Sequence, residues 1–172
     1  MAKTSGGNRS LTNGSREYSR RQKEVGEMRA SGKYSSVEMS EKGGGYVAIE
    51  KSKYPHKPEE IEAARHLANK GYKVILKDEA GHVTTPDGYI FSFTFEQSTP
   101  VSAKGENGFK NRLQHARDKA VDIALVYDKY DLFTKEDVKG GLKLYEQYNR
   151  HRFKMVMVLS SRGNVHIHKH NK

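Results

Sequence analysis

The sequence predicts an α/β or α+β fold: a single, mostly β sheet of about five to six strands with three packed helices. Along residues 44–172, short runs rich in β-branched and aromatic residues alternate with longer segments whose apolar residues recur every three to four positions. Residues 1–43 are poor in large aliphatic residues and rich in Gly, Ser and charge. The predicted domains are therefore a basic, flexible or helical N-terminal extension at 1–43 and an α/β domain at 44–172.

Local signals place each element in order. In the extension, Ser15 is a candidate cap for a helix ending before Gly32. The triple glycine at 43–45 is interpreted as a linker. Core helices are predicted from Pro58, from about Gly108 to Ala120, and after Thr134. Strands are predicted at 46–50, 72–77, 89–96, 122–127, 155–159 and 165–170, with the last at the sheet edge, and 78–84 as a loop or a short hairpin leg.

Charge favours a polyanionic partner. The 172-residue chain has 31 Lys and Arg against 21 Asp and Glu, a formal net charge of +10. Such a balance favours nucleic acid, because neutralising phosphates releases counterions. The absence of cysteine excludes disulfides and thiolate metal sites. No apolar run reaches the roughly 18 residues that would span a bilayer, and the first residues do not form a secretory signal, so a soluble protein is expected.

A Pro-Asp-Gly turn leads into the strand predicted at 89–96. Period-two spacing puts Tyr89, Phe91, Phe93 and Phe95 on one face of that strand. Two carboxylates, Asp87 at its start and Glu96 near its end, are placed as in nucleases that hold a divalent cation. They are candidate catalytic residues and, alternatively, ligands of Mg²⁺.

Basic residues follow along the next helix and just before it. Arg112 is a candidate for stabilising negative charge in a reaction. The candidates for phosphate binding are Lys104, Lys110, His115, Arg117 and Lys119. An ordinary solvated helix face explains the same pattern, and the sequence leaves both interpretations open.

Three histidines alternate on the last predicted strand. His166, His168 and His170 share one face, with Val165 and Ile167 opposite. His166 and His168 are candidates for the base and the acid of RNA cleavage without a metal, since histidine titrates near neutral pH. The His-x-His spacing also suits a metal ion, and a polar outer face near the chain end is the third interpretation.

Several short segments, taken in order, resemble a nuclease family. They are residues 62–76, Thr85-Pro86-Asp87-Gly88, Phe95-Glu96, Asn111-Arg112-Leu113 and 122–127. This pattern resembles the C-terminal tRNase domain of contact-dependent inhibition (CdiA-type) toxins and the related barnase-, EndoU-, colicin- and RelE-like nuclease domains of phage and mobile elements. The resemblance implies a compact α/β endoribonuclease that cleaves structured RNA, often tRNA, without an obligatory metal.

The resemblance also implies partners and a place of action. A toxin of this type would act in the cytoplasm after delivery from another cell, and an acidic immunity protein would neutralise it. One position departs from the pattern, because Ser98 stands where related sequences carry a lysine two residues after the glutamate. Two alternatives therefore stay open: an inactive nucleic-acid-binding or virion-associated protein of a phage or mobile element, and a metal-dependent DNase of PD-(D/E)xK type.

Overall fold

A computed structural model describes residues 2–78 and 85–170, and the side chains of residues 6–78 and 85–169. The elements in chain order are β1 (Ala2–Gly6), α1 (Arg16–Ala30), β2 (Tyr34–Met39), β3 (Tyr46–Glu50), α2 (Pro58–Asn69), β4 (Lys73–Leu76), β5 (Gly88–Ile90), β6 (Phe93–Ser98), α3 (Gly105–Arg117), β7 (Ile123–Asp128), α4 (Lys135–Tyr148), β8 (Met155–Ser160) and β9 (Val165–His170). No helix in this described part is long and apolar enough to cross a membrane.

The α+β class is confirmed, but the predicted five to six strands and three helices were too few. The described residues form nine strands and four helices. The added strands are short or polar: β1 reads AKTSG and β2 reads YSSVEM. Strands like these have no apolar alternation, so backbone pairing creates them and period-two patterns do not reveal them. Most of the loop predicted at 78–84 lies outside the described residues.

The chain forms two compact units. Unit 1 consists of Met1–Gly7 and Phe95–Lys172, and unit 2 consists of Asn8–Thr94. The first 43 residues, predicted as an extension, hold β1, α1 and β2. The predicted helix is present as α1, where the Ser15 side chain accepts a hydrogen bond from the Tyr18 N–H. Val25 of α1 packs with Val37 of β2 and Tyr46 of β3, so this segment contributes to a core.

In unit 2 the strands lie in the order β2-β3-β4-β5. Strands β3 and β4 are parallel and joined by α2, while the other two pairs are antiparallel. The triple glycine is a buried turn and not the predicted linker. A Cβ on Gly43 would lie 2.0 Å from the Asn69 carbonyl oxygen, and one on Gly45 would lie 2.3 Å from that of Tyr72. Glycine is required here because backbone approaches backbone.

The strand predicted at 89–96 is divided. The chain turns after Ile90, and Phe91 has a φ of 53°, in the left-handed region. The turn ends the alternation, so Tyr89 and Phe95 belong to different strands, β5 and β6. A sequence of alternating aromatic residues does not reveal such a turn, because neither Phe91 nor Ser92 is a typical turn-forming glycine or asparagine.

In unit 1 the strands lie in the order β1-β9-β8-β7-β6. Strands β6, β7 and β8 are parallel, and β9 runs antiparallel to both β8 and β1. The prediction of β9 as an edge strand was therefore wrong, because β1 pairs along its outer side. The register aligns four side chains across one face, in the order Glu96, Ala124, Val156, His168.

Helices α3 and α4 pack with that face of the unit 1 strands. Their shared core includes Phe109 and Leu113 of α3, Val138 and Leu142 of α4, and the strand residues Ala124, Val126, Val156 and Val158. The helices approach closely at Gly140 and Gly141, where a Cβ on Gly141 would lie 2.8 Å from Phe109 Cβ. This packing places the first turn of α4 beside β8 and β9, where a cleft opens.

Candidate functional site

A cleft of about 340 Å³ lies in unit 1 between the start of α4, the loop before it, and strands β8 and β9. Its apolar wall is formed by Phe133, Val138 and Val158. Its polar lining includes Lys135 and Lys139 of α4, Ser160 of β8, His166 and His168 of β9, and Asp128 and Asp131. The cleft thus combines an apolar wall with groups of both charges and two imidazoles, as small-molecule and nucleotide sites do.

The pleat of β9 brings His166 and His168 to the cleft. His166 pairs with Val158 and His168 with Val156, so both imidazoles project from the face that carries α4. Their environments differ, because His166 is exposed whereas His168 retains only 6% of its surface. The predicted shared face is therefore present for these two residues. The side chain of His170 lies outside the described part of the chain.

Burial sets the protonation of His168. Loss of solvent, aided by the nearby His166 and the Lys139 ammonium, lowers the pKa of His168 to about 4. The imidazole is therefore neutral near pH 7, where its unprotonated nitrogen can accept a hydrogen bond. Of the two histidines, His166 is the one exposed to solvent.

The loop before α4 is fixed by its own hydrogen bonds. The Asp128 carboxylate accepts from the Leu132 N–H at 2.8 Å and from the Phe133 N–H at 3.2 Å. Thr134 and Asp137 form a reciprocal capping box at the start of α4. The cleft rim is thus preorganised, and the Asp128 carboxylate is engaged in holding it.

Lys135 and Lys139 are both exposed and lie four residues apart, on one side of α4. They supply positive charge beside the histidines. Sequence reasoning did not identify these lysines, Asp131 or Ser160. Their position in the sequence could have indicated Asp128 and Ser160. Each directly follows a strand predicted to be buried, and ligands of α/β sheets bind beyond the carboxyl ends of parallel strands.

The structure does not bring Glu96 to the histidines. Glu96 lies on β6 with 6% of its surface exposed, and its Oε2 is 3.6 Å from the Lys119 ammonium. Three strand spacings, about 14 Å, separate it from His168 in the aligned row. Glu96 and the two histidines, all candidate catalytic residues, therefore do not form one site.

The basic residues near α3 serve different purposes. Arg117 donates to the Asn149 side-chain oxygen and to Asp118, linking the ends of α3 and α4. Lys119 pairs with Glu96. Lys104 and His115 are exposed, and Lys110 is half-buried. Arg112 is half-buried, and its Nε has no hydrogen-bond partner among the described residues. Two of the predicted phosphate-binding residues, Arg117 and Lys119, thus already bind other side chains of the fold.

Asp87 belongs to unit 2 and precedes β5. It retains 8% of its surface, and its carbonyl oxygen accepts from the Lys77 N–H at 3.0 Å. Within residues 2–78 and 85–170 no group of three His, Asp or Glu side chains is arranged to hold a metal ion. The alternative role of Asp87 and Glu96 as metal ligands stays a prediction.

Comparisons with known proteins give one informative match. No protein-family model matches the sequence, and no curated protein is significantly similar to it. The fold is similar to a chain of a structure described as "CdiA-CT/CdiI toxin and immunity complex from Burkholderia pseudomallei", with a TM-score of 0.50 and 19% identity. The match covers 71% of this chain and 98% of the other. It confirms the CdiA-type resemblance at the level of the fold.

Proposed function

We propose that the chain is a toxin-type endoribonuclease that cleaves structured RNA, with tRNA as its substrate, by acid–base chemistry that needs no metal. The observation that carries the proposal is the cleft of unit 1, where an exposed His166, a neutral His168 and two lysines meet. The net charge of +10 adds the long-range attraction that a polyanionic substrate requires.

RNA cleavage of this kind needs a base for the 2′-hydroxyl proton, an acid for the departing 5′-oxygen, and cations for the charged intermediate. His168 is assigned the base, because it lines the cleft and is unprotonated near pH 7. Its lowered pKa makes it a weaker proton acceptor than an ordinary histidine. His166, exposed at the cleft, is assigned the acid. Lys135 and Lys139 are assigned to the phosphate, a role that the sequence analysis had given to residues of the α3 region.

Charge also bears on which half of a toxin–immunity pair this chain would be. The similar structure contains both a toxin and an immunity protein. A chain with 31 Lys and Arg suits the toxin, since its substrate is anionic and its inhibitor would be acidic. Delivery from another cell, action in the cytoplasm and neutralisation by an immunity protein are parts of the same proposal.

The test is cleavage of total tRNA by the purified chain, with and without EDTA. Wild-type protein should give discrete products that persist in EDTA, and His166→Ala should slow cleavage by about 10²–10⁴-fold, the usual contribution of a general acid or base. His115→Ala is the matched control, since it removes an exposed histidine from α3, and the phosphate is now assigned to Lys135 and Lys139 and no longer to residues of α3. Intact tRNA in every lane, or equal loss in both variants, would refute the proposal.

A second candidate rests on the Glu96–Lys119 pair. Residue 98 is serine, but Lys119 brings an ammonium to 3.6 Å from the Glu96 carboxylate. A lysine beside a carboxylate fits the alternative of a metal-dependent DNase, in which Mg²⁺ would activate water. Plasmid cleavage that requires Mg²⁺ and is lost in Lys119→Gln, with His166→Ala unaffected, would favour this candidate.

If the chain cleaves neither RNA nor DNA, the remaining proposal is an inactive nucleic-acid-binding protein. Its motivation is Ser98 together with the deep burial of His168. Binding of RNA that weakens steeply with salt, without cleavage of RNA or DNA, would establish it.

A further inference from the structure

An exposed tyrosine lies in a turn whose neighbouring residues line the cleft. Tyr130 lies in the turn between two cleft-lining residues, Asp128 and Asp131, and 53% of its surface is exposed. The Asp131 N–H donates to the Asp128 carbonyl oxygen at 3.2 Å, and Asp131 has a φ of 54°. A backbone hydrogen bond therefore closes the turn that carries the ring, although the ring itself is largely in solvent.

A cation accompanies the ring. The Lys129 ammonium lies 5.9 Å from the centroid of Tyr130. The ammonium lies over one face of the ring, so a base would stack on the other face while Lys129 neutralises a phosphate. A solvent-exposed tyrosine of this size contributes little to the core, so packing does not account for it.

The cleft itself suits a single nucleoside. A volume of about 340 Å³ is at the small end of ligand sites and is sufficient for one base with its ribose. Phe133, Val138 and Val158 offer apolar surface to the flat faces of a base. Asp131 and Ser160 offer acceptors and a donor for its polar edge, and Lys135 and Lys139 lie where phosphates would follow.

We propose that this cleft takes one unpaired nucleotide of the RNA and that the neighbouring base stacks on Tyr130. The substrate class is therefore a single-stranded segment, such as a loop of a structured RNA, and not its duplex stems. In an A-form duplex the bases are stacked on each other and their major-groove edges are inaccessible, so neither the cleft nor the ring would engage them. The inference rests on the proposed function of the same site and adds its specificity.

The chain provides a matched control in Tyr148. This tyrosine is also in unit 1, at the last residue of α4, and 75% of its surface is exposed. Ten residues of helix, about 15 Å, separate it from Val138 in the cleft. Replacing either tyrosine removes an exposed ring, but only Tyr130 lies between residues that line the cleft.

The experiment measures binding with RNA that cannot be cleaved. A fluorescent 2′-O-methyl single strand and a 2′-O-methyl hairpin stem are titrated with wild type, Tyr130→Ala, Tyr130→Phe and Tyr148→Ala. Wild type should prefer the single strand, and Tyr130→Ala should weaken that binding by about tenfold, as expected for loss of one stacked base. Binding of the stem should not change, and Tyr130→Phe and Tyr148→Ala should bind as wild type does.

Failure of this inference is distinguishable from failure of the proposed function. Equal affinity of Tyr130→Ala and wild type for the single strand, or an equal loss in Tyr148→Ala, would overturn the stacking role even if tRNA is still cleaved. Tighter wild-type binding to the stem than to the single strand would overturn the substrate class. Conversely, the predicted binding pattern without cleavage would retain the nucleotide site and refute only the ribonuclease activity.

Discussion

The two units differ in how tightly their notable residues are packed. In unit 2 the glycines at 43 and 45 lie directly against carbonyl groups, with no space for a Cβ. In unit 1 the cleft leaves His166, Lys135 and Lys139 exposed. One polar cluster of unit 2 is likewise closely paired: Glu24 accepts from the Tyr46 hydroxyl at 3.1 Å and pairs with the Lys73 ammonium at 2.7 Å.

The two units also differ in the role of their buried titratable residues, which is structural in unit 2 and suited to catalysis in unit 1. Burial and the Glu24 carboxylate raise the pKa of Tyr46, so its phenol stays protonated and holds its hydrogen bond. In unit 1, by contrast, burial lowers the pKa of His168 and leaves a neutral imidazole on the wall of a cleft. Substitutions in unit 2 should therefore affect mainly stability, whereas substitutions around the cleft should affect activity.

The largest stability effect should come from Gly45→Ala in unit 2. The new Cβ would lie 2.3 Å from the Tyr72 carbonyl oxygen and 2.5 Å from that of Ala68, so backbone must move. The free energy of unfolding should fall by about 3 kcal/mol or more, measured by urea denaturation.

The matched control for this substitution is Gly26→Ala in the same unit. Gly26 lies inside α1 with nothing within 4 Å of the position of a Cβ. Alanine there should raise the free energy of unfolding by about 0.5–1 kcal/mol, because it favours helix. Similar changes in the free energy of unfolding for Gly45→Ala and Gly26→Ala would show that close packing does not make glycine necessary at position 45.

The next effect is a dependence of stability on pH that originates in unit 1. The pKa of His168 is about 4 in the folded chain and 6.5 in its ordinary state. Between these values the unfolded chain binds the extra proton, so stability present above pH 6.5 is lost as pH falls towards 4. The loss from this residue should approach about 3 kcal/mol, measured by urea denaturation across this range.

Two histidine variants isolate that contribution. His168→Gln should show a shallower fall in unfolding free energy over the same pH range than wild type. His115→Gln, which changes an exposed residue of α3, should follow the wild-type curve. A His168→Gln curve parallel to wild type would show that the imidazole is protonated as readily in the folded chain as in the unfolded one.

The smallest effect compares two lysines of unit 1 at equal distances from their partners. The Lys119–Glu96 and Lys154–Asp122 pairs both measure 3.6 Å, but the side chain of Glu96 is 7% exposed and that of Asp122 is 33% exposed. Lys119→Gln should lower the free energy of unfolding by about 1–2 kcal/mol, because a carboxylate away from water loses a cation. Lys154→Gln should cost less than about 1 kcal/mol. Equal costs would mean that burial does not strengthen the first pair.

The strongly patterned elements were predicted from sequence, and the weakly patterned ones were not. Helix α4 was expected after Thr134 and begins there, since a cap and an amphipathic stripe are local signals. The buried strands β7 and β8 were also expected. Strand β1 was missed because its residues carry no local signal, and the turn at Phe91 was missed because its aromatic spacing imitates one continuous strand.

The candidate site divides in the same way. His166 and His168 were expected on one face because a strand alternates its side chains. Their association with Lys135 and Lys139 was not expected, because α4 meets β9 through packing between segments distant in sequence. Glu96 was also a candidate catalytic residue, but two strands, β7 and β8, lie between it and the histidines.

The sequence by itself determined the α+β class, the basic charge, the capped helices and the alternation of histidines, because each depends on composition or on neighbours within a few residues. Only the tertiary structure decided that β1 pairs along the outer side of β9, that Gly43–Gly45 form a packed turn, and which charged side chains form ion pairs. Those features depend on strand order and close approach of distant segments. They follow from the balance of packing over the whole chain, which no local pattern records.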